Sequence, residues 1–213
     1  MVTTAFGLVL TSCGDGDVEA DASSSASPTP TSTVNVPEGV ALTEGGDELD
    51  FGTSATVVFE PNQQRGTVLE LTVEKVQQGS IKDFSGFIVN STIKSATPYY
   101  VDVAVENLGQ GDVGEFGVPL YGVDDRNVLL QPSTFTTSFA KCASQPLPNK
   151  FEGGDKFDSC LVYLAPKHGS LESVSFRPTQ DFDPIVWTGK FAKPKTDKPA
   201  KSEKKKKSGK KQR

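Results

Sequence analysis

The chain has 213 residues, room for one ordinary domain with appendages. Its 22 basic and 27 acidic side chains give a net charge of −5, which hides three blocks: −9 over residues 14–50, −6 over 51–189 and +10 over 190–213. Like-charged blocks with few apolar residues cannot offset their own ordering entropy, which excludes both ends from a packed core and leaves the mildly acidic middle as the folded part.

From Val2 to Ser12 the chain is uncharged, and its most apolar part is Ala5 to Leu10. That is far short of the roughly twenty apolar residues a bilayer-spanning helix needs. It suits the apolar region of a secretory signal, so residues 1–12 read as a signal peptide. Leu10-Thr11-Ser12-Cys13 resembles the bacterial lipobox, whose small residues precede the cut and whose cysteine thiol is lipidated. The resemblance implies lipidation at Cys13 and an extracytoplasmic protein anchored to the cell membrane. No Lys or Arg precedes the apolar run, and a start upstream of Met1 would supply that basic region. The alternative is a disordered N-terminus with a stray cysteine, and Asp15 and Asp17 disfavour burial of Cys13.

Residues 13–50 read as an acidic linker. "EADASSSASPTPTSTVNVPEG" (Glu19 to Gly39) lacks aromatic residues and periodicity, the composition of a spacer. A coil of residues 14–50 would reach roughly 35 Å on average. Its Ser/Thr/Pro cluster also offers hydroxyls for O-linked sugars.

The domain is expected over residues 51–189, and its pattern is β. In "TVLELTVEKV", Leu69, Leu71 and Val73 alternate with Glu70, Thr72 and Glu74. In "YYVDVAVENLG", Val101, Val103 and Val105 alternate with Asp102, Ala104 and Glu106. A period of two marks strands with one buried and one wet face. Further strands are expected at Ala55–Glu60, Gly86–Ile93, Val118–Val123, Val128–Gln131, Cys160–Leu164, Glu172–Phe176 and Ile185–Thr188. There is no sustained helical period, and Gly, Pro, Asn and Asp punctuate the runs. The expectation is an all-β antiparallel sandwich.

"LELTVEKVQQG", "YYVDVAVENLGQGDV", the "GVDDRNVLL" turn and "FEGGDKFDSCLVYLAPKHGSLESVSFRP" carry a further resemblance. Over about two-thirds of its length the chain is similar to the immunoglobulin-like domain of unknown function found in actinobacterial and other Gram-positive lipoproteins. That domain is related in fold to a secreted mycobacterial immunogenic antigen. The resemblance implies an immunoglobulin-like β-sandwich, secreted or lipid-anchored, and brings no catalytic residues.

Several residues invite chemical readings. "GQGDVG" (Gly109 to Gly114) is a GxGxxG after a strand, but a dinucleotide fingerprint must open a helix, and Gly117 and Pro119 stand where that helix would run. A glycine-rich strand connection is expected instead. His168 and Ser170 lack the GxSxG nucleophile turn, so an exposed turn histidine is expected. Asp124 with Asp125, Asp155 with Asp158, and Asp181 with Asp183 show no EF-hand spacing and read as solvated loop carboxylates. Asn90 opens an NST sequon within an expected strand, and Trp187 is expected to pack the last strand into the core. No metal site, cofactor or enzymatic activity is expected.

Three cysteines are an odd count. With Cys13 lipidated, Cys142 and Cys160 remain to form a disulfide, the alternative being two buried thiols; a zinc site is disfavoured by the absence of CxxC and the single histidine. Residues 190–213 form a Lys-rich tail. Its Lys204, Lys205, Lys206, Lys207, Lys210 and Lys211 are candidates for polyanion contact, with a solvated tail as the alternative. Nucleic acid is disfavoured because no aromatic residue follows Lys193 to stack a base. Anionic lipid head groups, cell-wall polymers or another envelope protein are the expected partners. The reading is a lipid-anchored extracytoplasmic binding or structural module of the cell envelope. The alternatives are an extracytoplasmic hydrolase using acidic loop residues, or a polyanion-binding protein acting through the tail.

Overall fold

The alternation read in the sequence becomes strand where it is strongest. The computed structural model describes residues 34–193. Its strands are β1 (Glu48–Asp50), β2 (Ser54–Asn62), β3 (Arg65–Gln78), β4 (Thr97–Asn107), β5 (Tyr121–Asp124), β6 (Leu129–Leu130), β7 (Lys156–Ala165), β8 (Leu171–Phe176) and β9 (Ile185–Thr188). Two short turns of helix, a 3-10 turn at Ile81–Phe84 and α1 at Ser91–Lys94, lie in the β3–β4 connection. The strands form two sheets, ordered β1-β9-β8-β5-β6 and β2-β3-β4-β7, packed as a β-sandwich. The chain crosses between the sheets after β1, β4, β6 and β7 and again at β9's far end, where Ala192 bridges Gln77.

The core lies between the sheets. Leu69, Leu71 and Val73 of β3 and Val101, Val103 and Val105 of β4 face Val174, Phe176 and Trp187 of the other sheet. Each fully buried aliphatic side chain of this kind contributes roughly 1.5–3 kcal/mol. A bulge between Val73 and Lys75 shifts the β3 register, so inward-facing positions change from odd to even and Val76 is buried where strict alternation would expose it. Trp187 is fully buried as expected, and its indole N–H donates to the Thr53 carbonyl at 2.8 Å.

Four features differ from the sequence reading. Gly86–Ile93 is not a strand. Ser80 and Asp83 form a capping box that starts the 3-10 turn, and Asn90 caps α1 by accepting from the Ile93 N–H at 2.9 Å. Between these caps, Phe84, Phe87 and Val89 pack onto the outside of a sheet. Second, β1 lies within residues 13–50 and pairs in parallel with β9, so the sandwich is not wholly antiparallel. Third, the folded chain continues past residue 189: Phe191 stacks on Phe51 at 5.7 Å, and Ala192 bridges Gln77. Fourth, β5 begins three residues after Val118, because Val118 and Leu120 enter the core from the preceding loop.

The two ends of the described chain sit at opposite ends of β3. Val34 lies against Gly66, beside the β2–β3 hairpin. At the other end the Gln78 N–H donates to the Ala192 carbonyl at 2.9 Å. Twelve residues of strand separate these positions, about 40 Å.

Candidate functional site

The strand register places Tyr100 opposite Val162 and Asp102 opposite Cys160, all on the outer face of the β2-β3-β4-β7 sheet. An outer face is normally wet, yet Tyr100 and Val162 are buried. The β3–β4 connection and the chain between β6 and β7 fold over them and build a second apolar cluster. Phe84 and Phe139 stack at 4.8 Å, with Phe87 and Phe135 packed around them. The second of these segments also covers the free edge of β7, through the Ser133 N–H to the Val162 carbonyl at 2.7 Å and the Ser144 N–H to the Cys160 carbonyl at 2.8 Å.

Covalent and ionic links close this cap. Cys142 and Cys160 form the expected disulfide, with Cα atoms 5.1 Å apart. It ties the segment after β6 to β7. Asp83 ties that segment to the β3–β4 connection, accepting from Tyr100 Oη at 2.8 Å, Ser80 N–H at 3.0 Å and Lys141 Nζ at 2.6 Å. Burial opposes the Asp83 charge, but these three donors outweigh it and hold the carboxyl below its ordinary value. The Tyr100 hydroxyl is pushed well above the usual phenol range by burial and by the Asp83 carboxylate.

One part of the cap remains outside. Phe87 and Val89 are partly buried against the cluster, while Ile88 between them is fully exposed.

GQGDVG is a strand connection organised by buried Asn107. The Asn107 carbonyl oxygen accepts from Thr67 Oγ1 at 2.6 Å and the Gly109 N–H at 3.1 Å. Its amide donates to the Gly111 and Phe151 carbonyls, both at 2.8 Å. Gly111 is required by close approach: a Cβ there would lie 1.9 Å from the Gly66 carbonyl oxygen. No helix follows, and Asp112 is held by the Phe151 and Gly114 N–H groups and by Arg65 at 2.8 Å.

The remaining sequence-selected residues occupy turns and loops, except Asp124 at the end of β5 and Asp158 within β7. Asp124, expected to be solvated, is buried instead, because it accepts from the Arg126 and Val128 N–H groups, both at 2.9 Å, and pairs with the Arg126 guanidinium. Asp125 accepts from the Ser170 N–H at 3.2 Å, and Asp155 from the Glu152 N–H at 2.8 Å. Asp158, Asp181 and Asp183 are exposed. His168 is exposed in a tight turn where both it and Lys167 have positive φ, and Ser170 Oγ is hydrogen-bonded to Glu172, not to His168. Asn90 is exposed but caps α1. Cys13 and the six tail lysines, Lys204 to Lys207, Lys210 and Lys211, lie outside the described residues.

Among the described residues no group of His, Cys, Asp and Glu is placed to hold a metal ion, and no helix is long and apolar enough to cross a membrane. A disulfide of this kind fits an extracytoplasmic, oxidising compartment. An open groove lined by Pro119, Leu120, Tyr121, Pro132 and Pro146 runs beside β5, and its wall is mostly apolar.

Sequence reasoning missed the aromatic cap. Its signal was Phe84, Phe87, Phe135 and Phe139, which carry no period because the connections between strands deliver each ring. Comparison with known proteins found no family model, no curated protein and no solved structure matching this chain. What the geometry establishes is a two-sheet β-sandwich whose outer face carries a disulfide-linked aromatic cap.

Proposed function

We propose that the protein is a lipid-anchored, extracytoplasmic binding or structural module of the bacterial cell envelope, of the immunoglobulin-like lipoprotein type. The observation that carries this reading is the Cys142–Cys160 disulfide in a chain that opens with a short apolar run ending in Leu10-Thr11-Ser12-Cys13. Disulfides persist outside the reducing cytosol, and the apolar run is the length of an export signal, not of a spanning helix. Use of Cys13 for a lipid leaves the other two cysteines paired. The carboxylates support a module over a hydrolase, since Asp112, Asp124, Asp125 and Asp155 each accept from backbone N–H groups of the fold.

Fatty-acid labelling and detergent partitioning of the full-length protein in a Gram-positive host test the anchor. Wild type should take up label and enter the detergent phase, whereas Cys13→Ser should do neither. Equal labelling of the two would overturn the lipid-anchor reading.

A further inference from the structure

Among the described residues Ile88 is the most exposed of the large apolar side chains: Leu42, Val128 and Leu129 are each less than half as exposed. Its exposure is built into the fold. The Phe87 N–H donates to the Phe84 carbonyl at 2.9 Å, the Phe87 ring packs 5.6 Å from Phe139, and Val89 lies against the same cluster. Asn90 then caps α1. With its two neighbours drawn inward and the chain fixed on both sides, Ile88 is held outward as a tip.

Cationic side chains surround the base of this connection. Lys82 precedes the tip and Lys94 follows it; both are exposed, and neither forms an ion pair among the described residues. Lys167, also exposed, lies in the turn whose His168 N–H donates to the Ser95 carbonyl at 2.6 Å. Ala192 accepts from the N–H of Gln78, the last residue of β3 before the connection, so the described chain ends at its base. Nearby Asp83, Asp124 and Asp125 are engaged by Lys141 and Arg126.

An exposed apolar tip on a connection that also carries exposed lysines suits an anionic bilayer: the side chain enters the acyl boundary while ammonium groups meet the lipid phosphates. We propose that this end of the sandwich docks on an anionic membrane surface through Ile88, with Lys82, Lys94 and Lys167 supplying the electrostatic attraction. This deepens the surface-contact part of the envelope reading, and it operates without the lipid on Cys13. The geometry allows both contacts on one bilayer. Residues 14–33, fully extended, reach at most ~70 Å, more than the ~40 Å between the ends of β3.

The test uses the full chain carrying Cys13→Ser, co-sedimented with vesicles of phosphatidylcholine alone or mixed with phosphatidylglycerol. Binding should require phosphatidylglycerol and weaken with salt. Ile88→Ser should lower the partition coefficient roughly tenfold or more, while Leu42→Ser, at an apolar site elsewhere on the sandwich, leaves it unchanged. Converting Lys82, Lys94 and Lys167 to Gln should lower it about fivefold per lysine. Ile88→Trp should show a blue shift on adding anionic vesicles, against the constant background of buried Trp187. Thermal unfolding of each variant verifies that the fold is intact. Vesicle binding indifferent to Ile88→Ser, or no blue shift on binding, would overturn the proposal and leave a polyanion contact made by charge alone. Because every protein here lacks the anchor cysteine, that failure is distinct from failure of the lipidation reading.

Discussion

Tyr100 Oη donates to the Asp83 carboxylate at 2.8 Å, joining the outer face of β4 to the turn that begins the β3–β4 connection. Lys141 approaches the other oxygen of the same carboxylate, so one ionised group fastens two loops to one sheet. Asp83→Asn should destabilise the fold by about 1–2 kcal/mol at neutral pH, as should Tyr100→Phe. Folding lowers the pKa of this carboxyl, so its stabilisation is present above the ordinary carboxylate value and fades as the pH falls through the lowered one. The gap between wild type and Asp83→Asn in urea midpoints should therefore close below about pH 4. A gap constant from pH 7 to pH 3 would contradict the ionic role.

The disulfide joins residues 18 apart, and a closed loop of that size is stabilised by about 3 kcal/mol in chain-entropy terms. The double variant Cys142→Ala, Cys160→Ala should lose about that much while keeping the β circular-dichroism signature, because the main core lies on the other side of the sheet. Hydrogen exchange should rise first in residues 131–147 and 79–96. Global loss of structure would mean that the cap supports the sandwich more than its packing implies.

Asn107 satisfies four hydrogen-bonding groups in a buried site. Asn107→Ala should cost about 2–4 kcal/mol by leaving buried partners unpaired. Gly111→Ala should be at least as damaging, since its methyl would meet the Gly66 carbonyl. Thermal unfolding with and without NAD or ATP should give the same midpoint for wild type, because this glycine-rich segment opens no helix. A rise in midpoint with either nucleotide would restore the fingerprint reading.

Truncation reveals where the domain ends. Ending the chain after Lys193 should leave its thermal midpoint unchanged. Ending it after Gly189 removes Phe191 from its stack with Phe51 and its edge contact with Tyr99, and should cost about 2–3 kcal/mol. Equal stability of the two truncations would place the end of the fold at β9.

The sandwich was legible because its central strands are long and wet on one side. Val101 to Val105 and Leu69 to Val73 declare their inner face by alternation, and Trp187 follows as a large apolar group on a terminal strand. Cys142 and Cys160 were legible by counting. The cap was not, because Tyr100 and Val162 occupy positions that alternation assigns to solvent, and only tertiary contacts from two loops bury them. The "FIV" run has strand composition, yet the caps at Ser80 and Asn90 override it, and Ile88 is turned outward by what its neighbours pack against. The boundaries failed for a related reason. Leu49 and Phe191 are single apolar residues in charged surroundings, and each gains its place by pairing or stacking with a distant strand.

The parallel pairing of β1 with β9 has a mechanical consequence. Both strands run from the Val34 end of the sandwich toward the Ala192 end, so tension applied through the two flanking segments draws β1 backward and β9 forward along a shared axis. Their hydrogen bonds, together with those from Phe51 N–H to Thr188 and from Val186 N–H to Asp47, would be sheared as a group instead of opened one at a time. A hairpin pulled from its open end yields bond by bond at low force; this geometry makes several bonds fail together. Held at both ends, the sandwich would act as a strut that carries load along its length.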